Sequence, residues 1–278
     1  MSYIITDDKH YKNIAKSIRS KMQTDREYYP EYMAIAIDNI PSSADGTDNP
    51  VISIYYINPD ENGHPTKVKI SGWINPGGNF PNVFNYNNNN LYLKEVEFIN
   101  CNFALLADNA FNGCLSLATI NLPDSLTSIG SYTFNRCLFT TINLPDSLTS
   151  IGAYAFSNCS LTTIILPSNL ISIGSNAFQS CDRLTTIHIP GNVTSIGDNL
   201  FLYCGSLKEV TICDNFNLNN LNLSSSTKYI RETILQWLNA LADRTGQTAY
   251  KLIIGSKNLK KLTQEDIAIA TVKNWTLA

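Results

Sequence analysis

The sequence predicts an α+β repeat protein: a solenoid of short rungs stacking one parallel sheet, with a helical hairpin at its N-terminal end and a strand-helix cap at its C-terminal end. Three observations predict it. One pattern recurs five times at a period of 22 or 23 residues, beginning at residues 106, 129, 151, 173 and 196. Prolines close the strand segment of four copies at the same place. On both flanks the pattern gives way to apolar residues at helical spacing.

The copies read LADNAFNGCLSLATINLPDSLTS, IGSYTFNRCLFTTINLPDSLTS, IGAYAFSNCSLTTIILPSNLIS, IGSNAFQSCDRLTTIHIPGNVTS and IGDNLFLYCGSLKEVTI. The run L-x-T-I-x-L predicts a strand at Leu117 to Leu122, Phe139 to Leu144, Leu161 to Leu166, Leu184 to Ile189 and Leu207 to Ile212, its first, fourth and sixth side chains inward. Pro123, Pro145, Pro167 and Pro190 end four of these strands, because proline has no N–H to continue the ladder. LTSIG or VTSIG returns along another side, and Gly130, Gly152, Gly174 and Gly197 are read as permitting a sharp turn. Ala107 stands there in the first copy and leaves its turn the least defined. A short segment then carries Phe111, Phe134, Phe156, Phe178 and Phe201, followed by Cys114, Cys137, Cys159, Cys181 and Cys204. Both columns are expected to fill the core, the cysteines as small hydrophobes, since no base recurs beside them.

This period lies in the leucine-rich-repeat range of about 20 to 29 residues and is too short for tetratricopeptide, ankyrin or propeller units. The columns L-T-T-I-x-L-P-x-x-L-T-S-I-G-x-x-A-F-x-x-C closely resemble the BspA-like leucine-rich repeats of bacterial surface proteins, over about residues 93 to 212. The resemblance implies recognition, such as adhesion to host proteins or other bacteria, rather than catalysis.

The ends must cap the stack, because terminal rungs expose apolar faces and open strand edges. Residues 1–40 read as the helical hairpin: Tyr11, Ile14, Ala15, Ile18 and Met22 form one stripe, and Pro30 opens a second helix carrying Met33, Ile37 and Ile40. Residues 41–92 read as a linker and a small strand-containing cap, with strands in VISIYYI and TKVKISGWI and a turn-rich stretch PGGNFPNVFNYNNNN. Residues 93–213 are the repeats, opened by the degenerate rung LKEVEFI. Residues 214–278 are capping rungs: strands near 221, 251 and 276 extending the parallel sheet, and outer helices from about Lys228 to Arg244 and Gln264 to Asn274, capped by Thr227 and Thr263. Ile230, Ile234, Trp237, Leu238 and Leu241 form the buried stripe of the first helix. Both termini are also similar to tail-associated and prophage-encoded proteins of Gram-positive bacteria, which implies attachment of residues 1–40 to a larger surface or tail assembly.

Composition narrows the partners. Charged residues are 15% of the chain against roughly 25% in ordinary soluble domains. With a net charge of −3 and no Lys/Arg cluster longer than Lys260-Lys261, the chain lacks the concentrated cations that nucleic acid demands. No stretch approaches the ~18 apolar residues that cross a bilayer, and the start MSYIITDDKHYKN has neither region of a signal peptide. A cell-surface or virion-associated place is favoured, with the compartment left open.

Nothing marks a reaction. His10, His64 and His188 lie in three different segments, and the seven cysteines form no C-x-x-C or Cys/His grouping for a metal. PGGNF lacks the lysine and helix of a phosphate loop, and Asp60, Glu61, Asn62 and Gly63 read as a turn, without calcium-loop spacing. No enzyme, metal or cofactor is expected. Alternation instead places Thr119 and Asn121, Thr141 and Asn143, Thr163 and Ile165, Thr186 and His188, and Glu209 and Thr211 on the exposed, concave side of the strands. Stacked threonines suit any parallel sheet. The same rows would also present a broad, weakly charged surface to a protein or glycan. The expected function is non-enzymatic recognition on that face, with a structural spacer docked through residues 1–40 as the alternative.

Overall fold

The computed structural model describes residues 3–4, 33–37, 52–59, 65–71, 79–80, 90–214, 216–219 and 221–278. In chain order the strands begin with β1 (Tyr3–Ile4), β2 (Met33–Ile37), β3 (Ile52–Pro59), β4 (Pro65–Ser71), β5 (Asn79–Phe80) and β6 (Glu95–Ile99). The repeats add β7 (Leu105–Leu106), β8 (Thr119–Asn121), β9 (Ser128–Ile129), β10 (Ser150–Ile151), β11 (Thr163–Ile164), β12 (Ser172–Ile173), β13 (Thr186–Ile189), β14 (Ser195–Ile196) and β15 (Glu209–Ile212). Then follow β16 (Leu221–Asn222), α1 (Arg231–Ala240), β17 (Tyr250–Ile253), α2 (Ser256–Leu259), α3 (Gln264–Val272) and β18 (Trp275–Leu277).

Each rung contributes to two sides. On the front, β4, β6 and β8 pair in parallel, and further along β11, β13 and β15 do the same. On the return side β5, β7, β9, β10, β12 and β14 form one continuous parallel sheet, in which Ser128, Ser150, Ser172 and Ser195 share a register. The inward positions fall as the repeat dictates: Leu117, Ile120, Phe139, Ile142, Leu161, Ile164, Leu184, Ile187, Leu207 and Val210 are all buried.

Phenylalanines run through the core as one stack. Phe80, Phe111, Phe134, Phe156, Phe178 and Phe201 follow each other at centroid separations of 6.0, 5.6, 5.4, 5.6 and 6.1 Å, all nearly parallel. Each such pair adds about 0.5–1.5 kcal/mol beyond area burial. Beside them the cysteines form a ladder, each Sγ donating to the phenylalanine carbonyl of an earlier rung: Cys137 to Phe111, Cys159 to Phe134, Cys181 to Phe156 and Cys204 to Phe178, at 3.0–3.4 Å.

Burial pushes the thiols of Cys114, Cys159 and Cys204 up to about 12 from an ordinary value of 9.0, and those of Cys137 and Cys181 well above it. The unfolded chain loses these protons first, so stability is full below about pH 9 and falls as pH rises from there towards 12. The urea midpoint is expected to drop as pH rises from about 9 towards 12, with a shallower drop in Cys159→Ala.

The glycines act differently from the sequence reading. Gly130, Gly152, Gly174 and Gly197 do not have positive φ. They are small because rungs touch there: a Cβ on Gly174 would lie 2.4 Å from the backbone N of Ala153, and one on Gly197 2.2 Å from that of Ser175. The left-handed turn is made two residues later, by Tyr132, Tyr154, Asn176 and Asn199 at φ 56–58°. Asn109 does the same at 62° in the rung with Ala107, so that turn is as defined as the others.

Other expectations change as well. The second helix of the hairpin is absent over Met33–Ile37, which is β2, antiparallel to β3 from Met33↔Tyr56 to Ile37↔Ile52. MAIAI alternates large and small residues at period two, and a strand partner decides between that reading and the helical one. The stripe from Tyr11 to Met22, the linker at 41–50, and Asp60 to Gly63 lie outside the described residues. So does most of the Asn-rich stretch. The expected strand at Phe139 to Leu144 is not a paired strand. Its link to the preceding rung is Leu138 N–H to Leu117 O at 2.8 Å, and the connection from Cys137 to its strand segment is one residue shorter than that from Cys114.

In the C-terminal region β16, β17 and β18 form a separate parallel sheet instead of extending the repeat sheet. The reason is α1, which packs beside β15 and donates from Trp237 Nε1 to Val210 O, occupying the flank where another strand would pair. Ser226 Oγ donates to Leu207 O at 2.6 Å, so side chains satisfy carbonyls of the last repeat rung. Thr227 is not the cap: α1 starts after Ile230, which is extended and 60% exposed, while Ser226 Oγ accepts from Lys228 N–H upstream. Ile234, Trp237, Leu238 and Leu241 are buried as expected. Thr263 does cap α3, in a capping box with Asp266. Asp266 also takes Arg231 of α1 on both carboxylate oxygens, which with the backbone of Thr263 holds its carboxyl below the usual range.

Candidate functional site

The outward positions of the front strands come together as two rows. Register aligns Thr163, Thr186 and Glu209 in one, with Thr119 paired to Glu95 at its far end. His188 and Thr211 align in the other. Thr119, Asn121, Thr141, Asn143, Thr163, Ile165, His188 and Glu209 are exposed, while Thr186 and Thr211 are half-buried. All ten therefore lie on one side of the chain's front strands, as alternation requires.

They are not equally free. Asn121 accepts from Phe98 N–H at 2.7 Å and donates to Phe98 O at 2.9 Å, so its amide prolongs the ladder beyond β8. His188 Nδ1 lies 2.8 Å from Thr211 Oγ1, a pairing between neighbouring rungs. Ile165 has no such engagement and is 82% exposed.

Sequence reasoning missed three features of this side. The first is a second threonine ladder, Thr162 Oγ1 donating to Thr140 O and Thr185 Oγ1 to Thr162 O. The adjacent T-T in three copies was its signal. The second is a charged cluster at the start of the sheet, where Lys67 lies between Glu95 and Glu97 and Lys69 lies 3.4 Å from Glu97. Hydrogen bonds that Lys67 donates to Glu95 and Glu97 raise its pKa, and those that Glu97 accepts from Lys67 and Lys69 hold it below its usual value. The third is a shallow cleft of about 350 Å³ lined by Leu166, Ser168, His188, Pro190, Gly191 and Asn192. Its only sequence signal is Gly191, standing where Asp124 and Asp146 stand in earlier copies.

The chemistry of this side is hydrogen bonding and apolar contact. His188 faces a hydroxyl, and His10 and His64 lie outside the described residues. Among the described residues, no group of three or more His, Cys, Asp or Glu side chains is placed to hold a metal ion, and no helix is long and apolar enough to cross a membrane.

Stacked rungs of 22 or 23 residues, a strand on each and an inward Leu/Ile/Phe/Cys core define a leucine-rich-repeat protein. Comparison places the repeats more narrowly: residues 105–231 match the BspA type leucine rich repeat region in six copies. Repeats of this class typically occur in surface and protein-binding proteins and are generally non-enzymatic. Among solved structures, the chain is similar to a leucine-rich-repeat protein of T. pallidum, with 27% identity, 55% of this chain and 77% of that one covered, and a TM-score of 0.43. It is also similar to one from Bacteroides ovatus, at 19% identity over 84% of this chain and 60% of that one, TM-score 0.42. A leucine rich cell surface protein from Faecalibacterium prausnitzii matches at 20% identity over 67% and 60%, TM-score 0.31. No curated protein matches the chain.

Proposed function

We propose that this chain is a non-enzymatic recognition or adhesion protein, acting at a cell surface or on a virion, that binds a protein or glycan through its front strand face. One observation carries the reading: the outward side chains of β11, β13 and β15 are held in register, and from Thr119 to His188 the outward positions hold no Asp, Glu, Lys or Arg. A rigid neutral surface loses little conformational entropy on binding and gains from hydrogen bonds and contact area instead of long-range attraction.

The test is binding of labelled protein to intact bacterial cells, host matrix proteins and a glycan panel, alongside Thr141→Arg/Thr163→Arg. Both threonines are exposed, so the variant is expected to fold normally and to lose saturable binding by at least about tenfold. Unchanged binding would move recognition off this face.

A further inference from the structure

Two adjacent rungs depart from the repeat's own template, and they do so at exposed positions that folding does not constrain. Where earlier copies carry Asn121 and Asn143, the third carries Ile165, 82% exposed among polar neighbours. Where they carry Asp124 and Asp146, the fourth carries Gly191. That glycine answers no backbone demand. Its φ is not positive, and a Cβ there would meet only Cys213, at an ordinary 3.4 Å, whereas the stacking glycines would strike backbone below 3 Å. With Leu166, His188 and Pro190, Gly191 lines the cleft, and Ile165 directly precedes Leu166 in the chain.

We infer that Ile165 and the Gly191 cleft form a two-point apolar anchor for a protein partner, an extended, uncharged peptide segment that lays one aliphatic side chain into the cleft and another against Ile165. This rests on the front face being the recognition surface and names the class of ligand it takes. Charge matches: from Thr119 to His188 the outward rows hold no Asp, Glu, Lys or Arg, so a charged segment would lose hydration there without gaining a partner. Against a sugar stands the absence of any Trp, Tyr or Phe among the ten outward positions, which leaves no ring for a pyranose face to stack on.

The repeat supplies its own neutral variant. Ile165→Asn/Gly191→Asp restores at both places the residues that other rungs already accommodate, and its melting temperature should equal that of the native protein. The probe is a displayed library of random dodecapeptides selected on the immobilised native protein, with a glycan panel in parallel. Selected peptides should be rich in aliphatic residues, carry little charge, and bind Ile165→Asn/Gly191→Asp at least about tenfold more weakly, with Thr141→Arg/Thr163→Arg also abolishing binding. Peptides blocked by the arginine variant but indifferent to the Asn/Asp variant would overturn the anchor and leave the front face standing. Peptides indifferent to both, or a glycan lost in both, would overturn the assignment of a peptide ligand to this site.

Discussion

Gly174→Ala is expected to destabilise the protein by about 3 kcal/mol, the upper end of what overpacking costs, because the added methyl meets backbone that cannot rotate away. The Cβ would lie 2.4 Å from Ala153 N and 2.6 Å from Gly152 C, both in the preceding rung. Relief requires the two rungs to separate, which lengthens hydrogen bonds such as Gly174 N–H to Ile151 O at 2.8 Å. A thermal melt should fall by roughly 6–12 °C for a chain of this size. Gly205→Ala is the matched control: nothing lies within 4 Å of its Cβ and its φ is not positive, so its midpoint should move by no more than about 0.5 kcal/mol. Equal effects would mean that the glycine column serves turn flexibility and not contact between rungs.

Phe156→Ala should cost about 3–5 kcal/mol, the range for deleting a buried aromatic side chain. Phe156 is fully buried, with Phe134 at 5.4 Å on one face and Phe178 at 5.6 Å on the other. It sits at the middle of the stack, and each rung touches only its neighbours. Damage should therefore spread outwards from residues 151–173. Native-state hydrogen exchange checks this: amides of the flanking rungs, including Phe134 and Phe178, should lose protection, while those of α3 at the far end keep theirs. Uniform loss along the chain would instead mean that the protein unfolds as one unit.

The repeat was legible because every rung solves the same packing problem, so five copies of one answer show which positions face inward. Register, inward columns and the outward rows all follow from that. The role of Gly174 was not legible, since a glycine chosen for φ and one chosen for contact look alike until the neighbouring rung is placed. Met33–Ile37 fitted both a helical stripe and a period-two strand, and pairing with β3 settles the matter. Helical spacing identified the buried face of α1 but not that it would lie against β15 and end the repeat sheet. At the candidate site, alternation placed all ten side chains on one side. That Asn121 is occupied with Phe98, and that Gly191 lines a cleft with Leu166 and His188, depend on groups separated in sequence and meeting only in the fold.

The most direct test of recognition by the front face is a paired arginine comparison on opposite sides of the repeats. Thr141→Arg/Thr163→Arg places charge among the front rows, and Thr194→Arg places it at an exposed threonine on the return side. Both proteins should melt as the native protein does. The account predicts that saturable binding to cells, matrix proteins or glycans is lost only in the front-face variant. Loss in Thr194→Arg with retention in Thr141→Arg/Thr163→Arg would contradict it.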